Sequence, residues 1–298
     1  MNVLVVGAGA VGQVFALSLA RGGATVSFLV RPKHGARDAL QLFEQGGEAS
    51  TLTAQWLTSL DALKRQSWDQ VWLAVPATAY EGDEIPRVLE ATGDTTVVVL
   101  ATEGGDLVPA ARRVLGAIPF MAWQHPLPGQ PGAPGVAYWW PPLAQVPLSG
   151  VAPERVEAVR ALLRRGGLRA QRVDDVAKLG APVTALLNAS VVALEAAGWK
   201  LRDFHGRWTT LAARAAREMM RIDGVSPVFR AVTRGPALRV VWWLAAKVVP
   251  FDLEAYVQFH FTKMGEQTRA GLGRWIRDGR ERGLPVDALE ALKHTLPR

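Results

Sequence analysis

Residues 3–6, 25–30, 71–75 and 95–100 are short runs of apolar and β-branched residues without polar alternation. That is the pattern of strands buried on both faces of a parallel sheet. Between the first two runs, Phe15, Leu17, Leu19 and Ala20 lie in a helix-length segment closed by Gly22 and Gly23. Residues 40–43 and 50–55, around Gly46 and Gly47, read as a hairpin. Residues 61–64 read as a short helical piece and 109–115 as a helix. The texture then changes. Residues 118–123, 135–140 and 144–148 are short strands set apart by proline and glycine, with His125 in the first turn. They predict a small antiparallel extension of the parallel sheet. A helix over 153–165, with Pro153 near its start, and a strand over 168–173 complete this half.

From Asp174 the strand patterns stop. Asp174 can cap a helix beginning at Asp175, which Gly180 and Pro182 break or kink, because proline removes a helix hydrogen bond. Helical segments follow at 183–197, 208–221, 227–233, 236–249, 253–278 and 286–295. The predicted class is α/β. A doubly wound, Rossmann-type sheet with an antiparallel extension occupies residues 1–173, and an all-α domain for substrate binding and dimerisation occupies 174–298. Residues 240–244, with Trp242 and Trp243, are apolar on several faces. Burial in a helical core or a subunit interface accounts for them better than a surface-seeking membrane helix.

A chain of 298 residues, 49% hydrophobic, supports two domains with substantial cores. It contains no cysteine, which excludes disulfides, thiolate metal sites and cysteine nucleophiles. The first strand begins directly after Met1, leaving no room for a signal peptide, and no uninterrupted apolar run has the length of a membrane span. A cytoplasmic location is expected. Lys and Arg number 15 against 14 Asp and Glu in residues 1–173, but 19 against 13 in residues 174–298. The excess of basic residues is scattered along helices and accompanies no nucleic-acid motif, so it reads as solvated helix faces. Neither a nucleic-acid nor a membrane partner is expected.

The chemistry begins at Gly7-Ala8-Gly9-Ala10-Val11-Gly12, set between a strand and a helix. Gly7 permits the turn out of the strand. Gly9 lets a pyrophosphate approach the backbone. Gly12 allows close packing of a helix whose N-terminal N–H groups face the phosphates. A site for NAD usually ends its second strand on Asp or Glu. No acidic residue occurs before Arg37; instead come Arg31, Lys33, His34 and Arg37. A guanidinium can bind a 2′-phosphate through paired charge-assisted bonds, so NADP(H) is favoured over NAD(H), against the alternative of a solvated basic loop.

These glycines, Arg31, the turn Glu103-Gly104-Gly105, His125 ahead of a glycine-rich stretch, Lys178-Leu179 and Gly283-Leu284-Pro285-Val286 resemble the ketopantoate reductase family. That family reduces the 2-keto group of ketopantoate with NADPH on the way to pantothenate, and its fold resembles the 6-phosphogluconate dehydrogenases. The resemblance covers nearly the whole chain. It implies that Lys178 polarises the keto oxygen of a small substrate and supplies its proton; from spacing alone Lys178 reads as a solvated helix lysine. It also implies that the turn holding Glu103 and the position of Pro76 border the cofactor, and that Glu103, Asn188 and Gln267 lie near the substrate.

Several positions depart from the family pattern. Glu103 stands for an asparagine, Pro76 for a lysine, Pro182 and Leu186 for asparagines, and Gln267, beside Glu266, for a glutamate. The nearest amide after Lys178 is Asn188. His260, Lys263 and Gln267 are spaced to share one face of a helix, which either binds an anion or carboxylate or is a polar outer face. It is a poor metal site, because one of the three is a usual ligand. Two readings follow. One is an NADPH-dependent reductase of a small keto compound with an altered substrate site. The other is an NADP(H)-binding sensor or partner-binding protein without turnover.

Overall fold

Val3 to Val6 are all but inaccessible to solvent and form the centre of β1 (Asn2–Val6). The computed structural model describes residues 1–32, 39–100, 105–127, 130–263 and 265–296. The chain divides into two compact units, Met1–Val176 and Ala177–Arg298.

In the first unit β1 leads to α1 (Ala10–Arg21), β2 (Thr25–Leu29), β3 (Leu40–Glu44), β4 (Ala49–Leu52), β5 (Gln55–Leu57), α2 (Leu60–Lys64) and β6 (Gln70–Leu73). Then come α3 (Glu84–Ala91), β7 (Thr96–Val99), β8 (Arg113–Gly116), β9 (Met121–Leu127) and β10 (Gln130–Trp139). β11 (Val146–Ser149), α4 (Pro153–Arg165) and β12 (Ala170–Arg172) complete it. The main sheet has the order β12-β11-β8-β7-β6-β1-β2-β5. Its six strands from β5 to β8 are all parallel, and their order is that of a dinucleotide-binding domain. The uninterrupted apolar runs are explained by this burial on both faces. Strand order reverses at β1 and β6.

Residues 109–115 do not form the expected helix. One turn forms, with the Arg112 N–H on the Pro109 carbonyl at 2.9 Å, and the chain then enters β8 beside β7. Val114 and Gly116 face inward while Arg113 and Leu115 are half-buried, so a two-residue period wins over a helical one. The antiparallel extension also takes a different form. β11 joins the main sheet antiparallel to β8, with β12 parallel beyond it. β9 and β10 instead join the β3–β4 hairpin in a second sheet, order β4-β3-β10-β9. His125 therefore lies in β9 opposite Gly135, not in a turn. Residues 50–55 also split: β4 closes the hairpin and β5 begins at Gln55 beside β2. Phe15 of α1 ties the sheets together, 5.2 Å from the Trp72 ring and 5.2 Å from that of Phe120.

The second unit consists of helices. These are α5 (Val176–Ala196), α6 (Arg207–Ile222), α7 (Pro227–Val232), α8 (Gly235–Val248), α9 (Leu253–Lys263), α10 (Gly265–Glu281) and α11 (Asp287–Lys293). The small buried residues Ala212, Ala213, Ala215 and Ala216 let α8 and α11 pack closely on α6. Glu218 of α6 accepts the N–H groups of Ala288 and Leu289 at 3.1 and 2.9 Å, satisfying the first turn of α11 across the core.

α5 is one helix with Pro182 inside it; it does not break there. By length and composition α5 could cross a membrane, but 44% of its most apolar window is buried within the protein. The helix begins at Val176, the last residue of the first unit, whose N–H bonds to the Ser149 hydroxyl at 3.2 Å. The 240–244 run divides between core and solvent. Leu238 and Trp242 are buried, while Val240, Val241, Trp243 and Leu244 face solvent.

Candidate functional site

The turn between β1 and α1 lies at the carboxyl end of the sheet, where the strand order reverses. Gly7 has a φ of +97°, and a Cβ there would lie 2.7 Å from the Ala74 carbonyl oxygen. Gly12 sits so close that a Cβ would collide with the Gly7 carbonyl. Both positions need glycine for packing. Gly9 is different: a Cβ there would meet nothing within 4 Å, and Gly9 is exposed. It caps α1 with ordinary extended backbone, φ −70° and ψ 175°. The open side of the turn is thus at Gly9, in front of the N–H groups of Ala10, Val11 and Gly12, which the first turn of a helix leaves without helical partners. Ala8, Ala10 and Val11 are half-buried around it.

The turn is held from two sides. The Gly7 N–H donates to the Leu29 carbonyl at 3.1 Å, and the Ala74 N–H to the Val6 carbonyl at 3.0 Å. Gln13, 1% exposed, donates from Nε2 to the Ala8 carbonyl at 2.8 Å. Its Oε1 is buried without a partner among the described residues. In sequence the signal for Gln13 is an amide just past the last glycine, on a helix whose buried face is otherwise nearly all apolar. Arg31 follows Leu29 by two residues and is exposed, at the same end of the sheet as the glycine turn. Pro76, three residues beyond β6, is exposed and caps a short 3-10 turn over Ala77–Glu81. Lys33, His34, Arg37 and Glu103 lie outside the described residues.

In the second unit Lys178 is exposed on the first turn of α5. Pro182 withholds the N–H that a helix directs at the carbonyl four residues earlier, that of Lys178 itself. Asn188 bonds back along its own helix, Nδ2 to the Thr184 carbonyl at 2.8 Å. It lies ten residues from Lys178, about 15 Å along the axis, so the two do not share a locality.

His260 stacks on Tyr256, ring centres 5.6 Å apart, with its neighbour Phe261 edge-on at 5.0 Å. Burial depresses its pKa, and the charge of Lys263 adds to the effect. Both effects favour the neutral imidazole. Lys263 is exposed, and Gln267 is half-buried with Oε1 unpaired among the described residues. Met264, between α9 and α10, lies outside the described residues, and with it the shared face of His260, Lys263 and Gln267. Among the described residues no group of three or more His, Asp or Glu could hold a metal ion.

Residues 3–125 match the family model of ketopantoate reductase PanE/ApbA. No curated protein sequence matches the chain. Among solved structures, 2-dehydropantoate 2-reductase from Geobacter metallireducens GS-15 superposes with a TM-score of 0.70 at 19% identity, over 99% of each chain. D-mandelate dehydrogenase, solved with NADH and anilino(oxo)acetate, gives 0.72 at 16% identity, over 99% of this chain and 96% of the other. A dimeric ketopantoate reductase from Staphylococcus aureus gives 0.68 at 13% identity, over 99% of this chain and 98% of the other. At such identities the likeness establishes the fold, which is that of ketopantoate reductase along the whole chain.

Proposed function

We propose that this chain is a divergent ketopantoate reductase-like enzyme that reduces a small keto compound with NADPH. The observation that carries the reading is the glycine turn at the strand-order reversal, with Gly7 and Gly12 fixed by packing and Gly9 facing open space. The family match of residues 3–125 contains this turn and Arg31.

The residues fit a dinucleotide. Gly9 leaves the space a Cβ would fill, and the N-terminal N–H groups of α1 supply donors for a pyrophosphate. Arg31, with no carboxylate in its place, provides a bidentate partner for a 2′-phosphate. The reduced nicotinamide, when bound, supplies a hydride to the substrate carbonyl carbon. Lys178 holds a proton on Nζ; its positive charge stabilises the alkoxide that develops on the carbonyl oxygen, and Nζ then gives that oxygen the proton.

The substrate differs from ketopantoate in this reading. Pro182, Leu186 and Gln267 stand where the family resemblance places two amides and a carboxylate, and each lost bond to a charged partner is worth roughly 1.5–3 kcal/mol. D-mandelate dehydrogenase, with the same fold, carries an aromatic 2-keto analogue in its solved structure. A bulkier, less polar 2-keto acid or ketone fits these exchanges better than ketopantoate. Steady-state NADPH oxidation with ketopantoate and with aryl and branched 2-keto acids tests this. The reading expects a clear preference for the less polar compounds. A catalytic efficiency with ketopantoate above about 10⁴ M⁻¹s⁻¹ would show that the lost groups are compensated.

A further inference from the structure

Residues 224–251 contain Arg230, Arg234, Arg239 and Lys247 and no Asp or Glu. The same stretch carries eight of the large apolar side chains of the second unit that solvent reaches; Leu179, Val183 and Leu187 of α5 and Phe259 of α9 are others. Of the eight, those on α7 are Val228, Phe229 and Val232. On α8 they are Val240, Val241, Trp243, Leu244 and Val248. All eight are between 47% and 71% exposed. Isolated exposed apolar residues are ordinary, but a cluster on two consecutive helices marks a surface with a partner.

The geometry of α8 explains how this arises. Gly235, Leu238 and Trp242 form its buried stripe, and Trp242 meets Phe204 edge-on at 6.3 Å. At about 100° per residue, Val240 and Leu244 project from the opposite side, with Val241 and Val248 beside them. Arg239, Trp243 and Lys247 lie along the other margin of that outer face. The helix is therefore apolar on two faces, one in the core and one in solvent, with cations and an indole at the edge. Its buried stripe anchors it, and at 14 residues it spans about 21 Å, too short to cross a bilayer.

From this surface we propose that the α7–α8 face docks the protein peripherally on an anionic lipid membrane. Charge decides the occupant. A second copy on a twofold axis would set this patch against itself, four cations facing four cations with no carboxylate in the stretch. Anionic headgroups supply the missing counter-charge, and the valines, Phe229, Trp243 and Leu244 enter the headgroup–acyl boundary. The proposal stands on the second unit alone and is independent of the reaction.

The test is co-sedimentation of the full chain with phosphatidylcholine vesicles, with and without phosphatidylglycerol, at low and high salt. Variants are Leu244→Glu and the triple Arg230→Ser, Arg239→Ser, Lys247→Ser, none of which alters a buried residue. Circular dichroism and nucleotide affinity verify that each variant is folded. Binding to the phosphatidylglycerol vesicles should exceed that to phosphatidylcholine alone by at least about tenfold. High salt and either variant should abolish the excess. Absence of binding to phosphatidylglycerol vesicles would overturn the proposal, as would binding that neither variant changes. If Leu244→Glu turns a dimer into a monomer and no vesicle binding exists, the face is a contact between copies and the proposal fails.

Discussion

Gly7 and Ala74 are held so close that a Cβ on the glycine would lie 2.7 Å from the Ala74 carbonyl oxygen. Gly7 also has a φ of +97°, which an L side chain resists. Gly7→Ala should therefore destabilise the first unit by at least about 1–3 kcal/mol. Gly9→Ala should not, because its φ is −70° and no atom stands in the way. It should instead weaken nucleotide binding by at least about tenfold, since the added methyl occupies the space of the pyrophosphate. Melting curves paired with nucleotide titrations check the contrast. A Gly9→Ala protein that binds normally would mean the turn is structural only.

Arg31→Ala should weaken NADPH binding and leave NADH nearly untouched, because the guanidinium partners only the 2′-phosphate. In the unmodified protein NADPH should bind at least about tenfold more tightly than NADH, or about 1.4 kcal/mol. Calorimetric titration of both nucleotides into both proteins measures this, and equal affinities in the unmodified protein would refute it.

Lys178→Ala should lower turnover by at least about two orders of magnitude while the affinity for NADPH is unchanged. The ammonium acts on charge that develops in the transition state, not on the nucleotide. Near-normal turnover in the variant would remove Lys178 from the mechanism.

His260 gives a pH dependence of definite sign. Burial lowers its pKa below the ordinary 6.5. Between the two values the unfolded chain binds more protons than the folded one, so the stability tied to His260 is lost as pH falls below about 6.5 and is retained above it. Denaturant unfolding of the protein and of His260→Phe at neutral and mildly acidic pH should show the wild type losing more on acidification. A constant gap between the two would show that His260 does not carry this effect.

The glycine turn, the buried parallel strands and the helical second half were all legible because each depends on local sequence: glycine spacing, runs of Val and Leu, the loss of strand signals after Asp174. What was hidden depends on distant partners. β8 looked helical because Ala110 to Leu115 hold good helix formers; pairing with β7 decides otherwise. The second sheet needs β3 and β10 to meet across some ninety residues, and no local pattern reports that. Glu218 caps a helix seventy residues further along the chain, so it does not read as a cap in sequence. At the site, the glycines and Arg31 could be named because a backbone turn and a strand end fix them. Gln13 was passed over because its role is visible only once its Nε2 is seen on the Ala8 carbonyl.

The central claim is that this chain reduces a keto group with NADPH, and one assay tests it most directly. The purified protein is mixed with NADPH and a panel of 2-keto acids, 2-keto esters and simple ketones, and the loss of reduced nicotinamide is followed alongside formation of the hydroxy product. The account predicts stoichiometric conversion of at least one 2-keto compound less polar than ketopantoate, abolished in Lys178→Ala. Tight NADPH binding with no turnover of any compound in the panel would contradict it and leave a nucleotide-binding protein without this chemistry.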